Sequence, residues 1–563
     1  MRAQMVAGCI GLCLGLTAFG GDAGALLDAV RADDRAAVER LLGEGADPNE
    51  RDGDGTTPLS WAAMRSNPAI TARLLAAGAD PNLTNELGIG PLGVAIANGS
   101  AEVTGLLLGR RADPNVAREN GETPLMTAAR MGRVDLMTVL LGKGAAVNAR
   151  DRKFGQTALM WAAGQPEAVR LLLEHGADIR PVTTAWDIKY TNYLPTTATL
   201  GKTGIPWNND GDYTAKKGGL NALFFAVQKN DLASARALLN AGLDVNSASA
   251  DGTTPLLAAL YKWDPPKGAF VPGRGAPATA GSSQRFSPDL RMAKLLLDRG
   301  ASVKAADGVG YTPLHGAALA VAKAARSGAR QKGAYGQTAA ALALGSEEDP
   351  NAAGTLAEAL AIVDRLLAAG ADPNRQTIYP TGGPAGDVRI NPAPPGSSAV
   401  HIAASSGSVE LARMLARRGG NPNLVRKDGH TPFSVAVLTG EVAMARELVA
   451  SGANVQARWS PQDKIPDPVE AITLARQNQA ILHLAAIAGK PEMLEYLHSL
   501  GASLSATNAQ GETPFDLADK QERYRDAIRR QGAEGDAEQL KKIVRQSVGT
   551  DTLKRLATVA AAR

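Results

Sequence analysis

The chain has 563 residues, of which 60 are Lys or Arg and 56 Asp or Glu, for a formal net charge of +4. This near-balance gives no general pull towards nucleic acid, and 44% apolar residues exclude a polar disordered chain. At roughly 150 residues per domain the length fits three or four compact domains or one elongated array, and 61 glycines and 32 prolines imply many turns, whereas 4% aromatics argue against several enzyme cores packed on large rings.

The chain opens with a short positive start, Met1 and Arg2. Residues 5–19 are uncharged and mostly apolar, and the small residues Ala18, Gly20, Ala23 and Gly24 follow. This is the pattern of a secretory signal, assigned to 1–23. The expected mature chain is exported, periplasmic or extracellular. It holds no cysteine, because Cys9 and Cys13 are the only two, so neither a disulfide framework nor a cysteine metal site is available to it. Val6-Ala7-Gly8-Cys9 also looks like a bacterial lipobox, which makes a lipid-anchored form one alternative. A cytoplasmic chain with a misread N-terminus is another. No apolar run reaches the 18 or more residues of a membrane span, so no stable span is expected after signal cleavage.

Two strings then recur in step. Thr57-Pro58-Leu59, Thr123-Pro124-Leu125, Thr254-Pro255-Leu256 and Thr312-Pro313-Leu314 are full copies of the first. Thr431-Pro432-Phe433 and Thr513-Pro514-Phe515 are near copies, and degenerate copies start at Gly90, Thr157, Asn221, Ser398 and Ala480. Most steps are 33 or 34 residues; the longer ones contain insertions. The second string, Gly45-Ala46-Asp47-Pro48-Asn49, returns at 78–82, 111–115, 144–148 and 370–374, with weaker copies elsewhere.

One period shows what the strings do. Thr123 can cap a helix, and Pro124 suits its first position, where the missing N–H has no partner to lose. Leu125, Ala128 and Ala129 give a narrow apolar face at helical spacing. Gly132 breaks that helix. Leu136, Met137, Leu140 and Leu141 form the face of a second, and Gly144 ends it in a left-handed conformation. Helices of about nine residues are too short to stand alone, so each pair must bury its face against the next.

Eleven copies in phase resemble the ankyrin-repeat family, whose period is 33 and whose signature is Thr-Pro-Leu-His-x-Ala. The resemblance covers roughly residues 25–530, about 12 repeats, in an exported bacterial type with insertions. It implies an all-α solenoid of helix-turn-helix units with β-turn or hairpin tips, interrupted by loop insertions. The expected organisation is repeats 1–5 over 24–180, an aromatic-rich insertion over 181–219, and repeats 6–8 over 220–320 with an insertion at 261–288. Ala-rich and Pro/Gly-rich insertions around one half-repeat fill 321–396, and the Ala-rich stretch could extend a helix. Repeats 9–12 fill 397–530 with an insertion at 457–476, and a helical cap covers 531–563.

Constellations that carry chemistry are scarce. His315, His401 and His483 stand at the fourth position of the repeat signature, where the resemblance implies a structural hydrogen bond. His175, His430 and His498 show no metal-ligand spacing. Gly201-Lys202-Thr203 lacks the leading glycine of a phosphate loop, since 196 is threonine. No Gly-x-Ser-x-Gly elbow occurs. No enzyme activity, cofactor or metal is therefore expected. Asn82-Leu83-Thr84 and Asn98-Gly99-Ser100 match the glycosylation acceptor pattern.

The resemblance implies a protein partner bound at the turn tips and the inner helix face. Carried over by position, the tip candidates are Arg51, Asp52, Asn85, Glu86, Arg118, Glu119, Asn120, Arg150, Arg152, Lys153, Arg426 and Lys427. The tips from 118 to 153 are basic, which suits an acidic patch on a partner. Insertions in solenoids often lie on the binding face, and aromatics are favoured at hot spots, which adds Trp186, Tyr190, Tyr193 and Trp207. The expected function is a non-catalytic, exported protein-interaction scaffold. The competing readings are an enzyme or small-ligand binder with its site in 181–219, and a cytoplasmic adaptor.

Overall fold

A computed structural model describes residues 24–190, 213–261, 263–264, 285–286, 288–308, 310–330, 352–378, 396–426, 429–459, 479–488, 491–519 and 553–558. The signal-like segment, Tyr193, Trp207, Lys427 and most of 531–563 lie outside these residues. One compact unit takes in Met1–Thr184 and Gly219–Asp244, and a second takes in Ala185–Gly218 and Val245–Arg563.

The first unit is built from helix pairs: Ala25–Arg31 with Arg35–Gly43, Pro58–Met64 with Pro68–Ala76, and Pro91–Ala97 with Ala101–Gly109. Pro124–Met131 with Val134–Gly142, Ala158–Trp161 with Pro166–Glu174, and Ala222–Gln228 with Leu232–Asn240 continue it. The repeated strings start and stop these helices. Thr57 Oγ1 accepts the Ser60 N–H at 3.2 Å and Thr123 Oγ1 the Met126 N–H at 3.3 Å, so each satisfies an orphan donor of the first turn. The opening pair lacks the Thr-Pro start, and Glu50 takes over the cap by accepting the Leu27 N–H at 2.8 Å. Leu59, Leu92, Leu125, Leu159 and Leu223 are buried on the first helices, and Val38, Leu74, Leu107, Leu140, Leu172 and Leu238 on the second. At least one buried leucine or valine therefore recurs on each helix at the repeat period, and the core runs from pair to pair.

A second set of contacts ties neighbouring pairs together at the foot of the second helices. The amide of Asn49 donates to the Gly78 carbonyl at 3.3 Å and accepts the Asp80 N–H at 2.7 Å. Asn82 does the same with Arg111 and Asp113, Asn115 with Gly144 and Ala146, and Asn148 with Gly176 and Asp178. Asn82 thus has its side chain committed to the array, and the other glycosylation-pattern residue, Asn98, donates its amide to the Met64 carbonyl at 2.8 Å.

The insertions leave the array at closed necks. Thr183 donates its N–H to the Leu220 carbonyl at 2.9 Å, and Gly219 returns one to Thr183 at 3.1 Å. The helix pairs on either side of this neck, ending at Glu174 and starting at Ala222, pack on each other as direct neighbours.

In the second unit Trp186–Tyr190 pairs antiparallel with Tyr213–Lys217, Trp186 opposite Lys217. Trp263–Asp264 pairs with Arg285–Phe286, and Trp459 bridges Gln479. Thr377 bonds Ser397 and Gly396 in the same way across the Pro/Gly-rich stretch. Each neck brings the two ends of an insertion side by side, so the helix pairs keep their spacing.

Around 321–396 the array continues through two long helices. Pro313–Arg330 is a helix of 18 residues and Ala352–Ala368 one of 17, and the two pack together. They are the two helices of one repeat, opened by Thr312-Pro313-Leu314 and closed by Gly370 to Asn374. Up to residue 330 the alanine run lengthens the first helix. The pairs Ala399–Ser406 with Val409–Arg417, Pro432–Thr439 with Val442–Ala450, and Ile481–Ala488 with Pro491–Ser499 follow. Residues 514–519 and 553–558 are helical. Leu553 is only 2% exposed, Arg555 pairs with Glu495, and the Lys554 ammonium lies 5.8 Å from the Phe515 ring centroid, so 553–558 covers part of the array's end. Among the described residues no helix is long and apolar enough to cross a membrane.

Candidate protein-binding surface

Each tip of the first unit is a tight turn whose polar side chains fold back on the backbone. At the first tip Asp52 accepts the Thr56 N–H at 2.8 Å and the Trp61 Nε1–H at 2.9 Å, and meets Arg31 at 2.5 Å. Burial opposes its charge, but hydrogen bonds with Asp54, Trp61, Thr56 and Arg31 together hold the carboxyl below its ordinary value. Asp54 is raised by sharing a hydrogen bond with Asp52 and by burial. At the second tip Asn85 Oδ1 accepts the N–H groups of Leu87 and Ile89 at 3.1 and 2.9 Å. At the third, Asn120 Oδ1 accepts the Glu122 N–H at 2.9 Å.

Neighbouring tips also hold one another. Arg51 donates to the Thr84 carbonyl at 3.2 Å, and Arg150 donates to the Val182 carbonyl one repeat on. The Glu86 N–H donates to the Asp54 carbonyl at 3.1 Å, Arg152 to Asn120 at 2.9 Å, and Thr184 to Phe154 at 2.8 Å. Such close approach requires glycine. Gly121 has φ +82°, and a Cβ there would lie 2.4 Å from the Arg152 nitrogen.

The candidate residues therefore separate into two groups. Arg51, Asp52, Asn85 and Arg150 are occupied in shaping the tips, which makes them positioning residues instead of free contacts. Glu86, Glu119, Arg152 and Lys153 carry exposed side chains. Arg118 is half-buried and pairs at 3.4 Å with Glu122, which is itself buried and accepts the Thr127 hydroxyl at 2.8 Å. Arg426 departs from the expectation of an open tip. It is 8% exposed, because its turn closes through the Arg426 N–H to His430 carbonyl bond at 2.9 Å and the side chain is packed inward. Trp186 is 41% exposed, on the first strand of its hairpin, and Tyr190 ends that strand.

Five of the candidates come together. Arg118, Glu119, Asn120, Arg152 and Lys153 line one open groove of about 490 Å³, with Leu87 and Ile89 on its other side. The two apolar residues escaped the reading by charge. A comparison of tips in register exposes them: Asp54, Leu87, Asn120 and Lys153 share one position of the period, and leucine is the odd member. Leu87 is 65% exposed, the highest value among the exposed large hydrophobic residues of the described chain.

The histidines at the fourth position of the repeat signature are buried and bonded. His315 Nδ1 accepts the Thr312 N–H at 3.2 Å, and its Nε2 lies 3.1 Å from the Ser397 carbonyl. His401 repeats this with the Ser398 N–H and the His430 carbonyl, and His483 Nε2 reaches the Glu512 carbonyl at 2.9 Å. Burial pushes His315 down to about 4, and His483 down as well. These imidazoles are cap-to-tip braces. Among the described residues no cluster of three or more His, Cys, Asp or Glu is placed to hold a metal ion.

Stacked helix pairs, glycine-tight tips and an asparagine brace at each step define a helix-pair repeat protein. The chain matches the family description "Ankyrin repeats (3 copies)" over residues 26–118, 92–182 and 351–458, and "Ankyrin repeats (many copies)" over 467–518. It belongs to the ankyrin-repeat family, whose members serve as protein-interaction scaffolds. It is 40% identical over 119 residues to the cyclin-dependent kinase 4 inhibitor B of Mus musculus, and 34% identical over 119 residues to that of Rattus norvegicus. Each match spans 21% of this chain and 79% of the relative. A Caenorhabditis elegans homolog of transient receptor potential cation channel subfamily A member 1 is 27% identical over 123 residues. That match spans 22% of this chain and only 9% of the channel protein.

Proposed function

We propose that this chain is a non-catalytic, exported scaffold that holds a protein partner on its repeat tips and inner helix face. One observation carries the binding half: five tip residues from two successive repeats, with two apolar side chains from a third, converge on one open groove, and the two repeats that supply the five are joined by the Arg152 N–H to Asn120 carbonyl bond. A surface held this way loses little ordering entropy when a partner docks. The signal-like residues 1–23 carry the export half. Two measurements test the reading. N-terminal sequencing of the natural protein should find a chain that begins after the small residues at 18–24; an intact Met1 in a cytoplasmic fraction would refute export. A photo-crosslinking residue at Glu119 should capture a protein in stoichiometric yield, and no capture from 86, 119 or 152 would refute the binding surface.

A further inference from the structure

Read in register, the tips of the first unit change character along the array. The first carries Asp52 and Asp54, the second Glu86 and Leu87, the third Glu119 and Asn120, and the fourth Arg152 and Lys153. The charge thus runs from acidic to basic, and the exposed leucine stands between. The groove lies at the basic end of this series, with Leu87 and Ile89 on one wall and Arg152 and Lys153 on the other.

Backbone bonds from tip to tip join the first to the second, the third to the fourth and the fourth to residue 184. The second and third approach as closely as the first and second: a Cβ on Gly88 would lie 3.6 Å from the Glu119 nitrogen, the same distance as a Cβ on Gly55 from the Glu86 nitrogen. The groove that these tips line offers an apolar wall, Leu87 and Ile89, and two exposed cations, Arg152 and Lys153, the second lying 5.2 Å from the Phe154 ring centroid.

We propose that this groove binds an extended segment of the partner that carries an aliphatic side chain and, further along, a pair of carboxylates. This rests on the scaffold reading and names the chemistry of its partner. The aliphatic side chain covers Leu87 and Ile89, and the carboxylates meet Arg152 and Lys153. Helix layers pack about 8–10 Å apart, so Leu87 and Lys153 stand about 20 Å apart, which an extended chain crosses in about six residues. A basic segment is disfavoured in the same groove, because like charges would face each other with no acidic side chain but Glu119 to offset them.

The test uses the full chain and fluorescein-labelled decapeptides of glycine and serine that carry one leucine and, six residues away, two aspartates, in both chain directions. Fluorescence anisotropy at low salt should show one direction binding at least tenfold tighter than its counterpart with lysines for aspartates. The R152E/K153E variant should weaken it at least tenfold, and Leu87→Ser several-fold, with the helical circular-dichroism spectrum unchanged. Equal affinity for the aspartate and lysine peptides, or no effect of R152E/K153E, overturns the proposal. If the crosslinker at 119 captures a protein equally well from the wild type and from R152E/K153E, the scaffold stands and the acidic ligand falls. If no tip captures a protein, both fall.

Discussion

His315 offers a direct test of how these repeats are held together. The imidazole is 1% exposed, accepts the Thr312 N–H that opens its helix, and reaches the Ser397 carbonyl in the next repeat. Burial favours the neutral ring and brings its folded value down to about 4 from an ordinary 6.5, against backbone hydrogen bonds with Ser397 and Arg375 that raise it; the Arg375 charge adds to the lowering and the Asp372 charge opposes it. The folded value is depressed, so the contribution is complete above pH 6.5 and is lost as pH falls through the window from 6.5 to about 4. Each unit corresponds to about 1.4 kcal/mol, and the window therefore makes roughly 3 kcal/mol of stability depend on pH at this one ring. Urea unfolding of the wild type and His315→Gln, followed by circular dichroism between pH 4 and 7, isolates the term, because the carboxylates are common to both. The gap between the two curves should shrink by roughly that amount on acidification. A histidine ring signal that is present in the wild type, absent from His315→Gln and still neutral at pH 5 should appear by NMR. Parallel pH dependence in the two proteins, or a ring that titrates near 6.5, would refute the reasoning.

Three further outcomes follow from the repeat geometry. Gly45, Gly78, Gly144 and Gly176 share a left-handed conformation with Arg111 at φ +66°, which costs a residue with a Cβ about 1 kcal/mol; Arg111→Gly should raise the first unit's urea stability by about that much, whereas Gly144→Ala should lower it. Asn115→Ala removes both hydrogen bonds to the next repeat; with water able to replace part of them, it should destabilise by about 1–2 kcal/mol and speed amide exchange at Ala146 before distant repeats respond. Gly121→Ala puts a Cβ against the Arg152 nitrogen, and should break the Arg152 to Asn120 bond, seen as faster exchange of the Arg152 N–H, while the buried leucines stay protected.

Much of the fold is visible in the residue strings because each string performs a local task. Thr-Pro caps and opens a helix, the glycine takes a positive φ, and the asparagine at the end of Gly-Ala-Asp-Pro-Asn braces the next repeat. Where the strings lapse, the reading weakens. Nothing in the alanine run after Val321 distinguishes an insertion from a lengthened helix, because alanine favours a helix without saying what the helix packs on. Only Ala352–Ala368 beside it supplies that answer. The tips are harder for another reason. Asp52 and Glu86 look equally available in sequence, yet Asp52 is bound by Arg31 and Trp61, residues from the helices on either side of it. Arg426 likewise looks available in sequence, yet it is only 8% exposed.

The same separation explains where binding specificity can reside in such an array. Residues that cap, turn or brace are fixed by the need of each pair to lean on its neighbour, and changing them weakens the contact between those neighbours. Aspartate, leucine, asparagine and lysine stand at 54, 87, 120 and 153. Asp54 and Asn120 also accept a turn N–H, and the fourth turn is one residue longer, closing from Gly155 to Asp151 where the third closes from Gly121 to Arg118; the exposed side chains of Leu87 and Lys153 are free to vary while the repeats beneath hold the backbone. A partner reads a row of variable groups at constant separation, and energy that would otherwise go into ordering the surface remains available for contact. The groove between Leu87 and Lys153 is where this row brings an apolar wall and a pair of cations together.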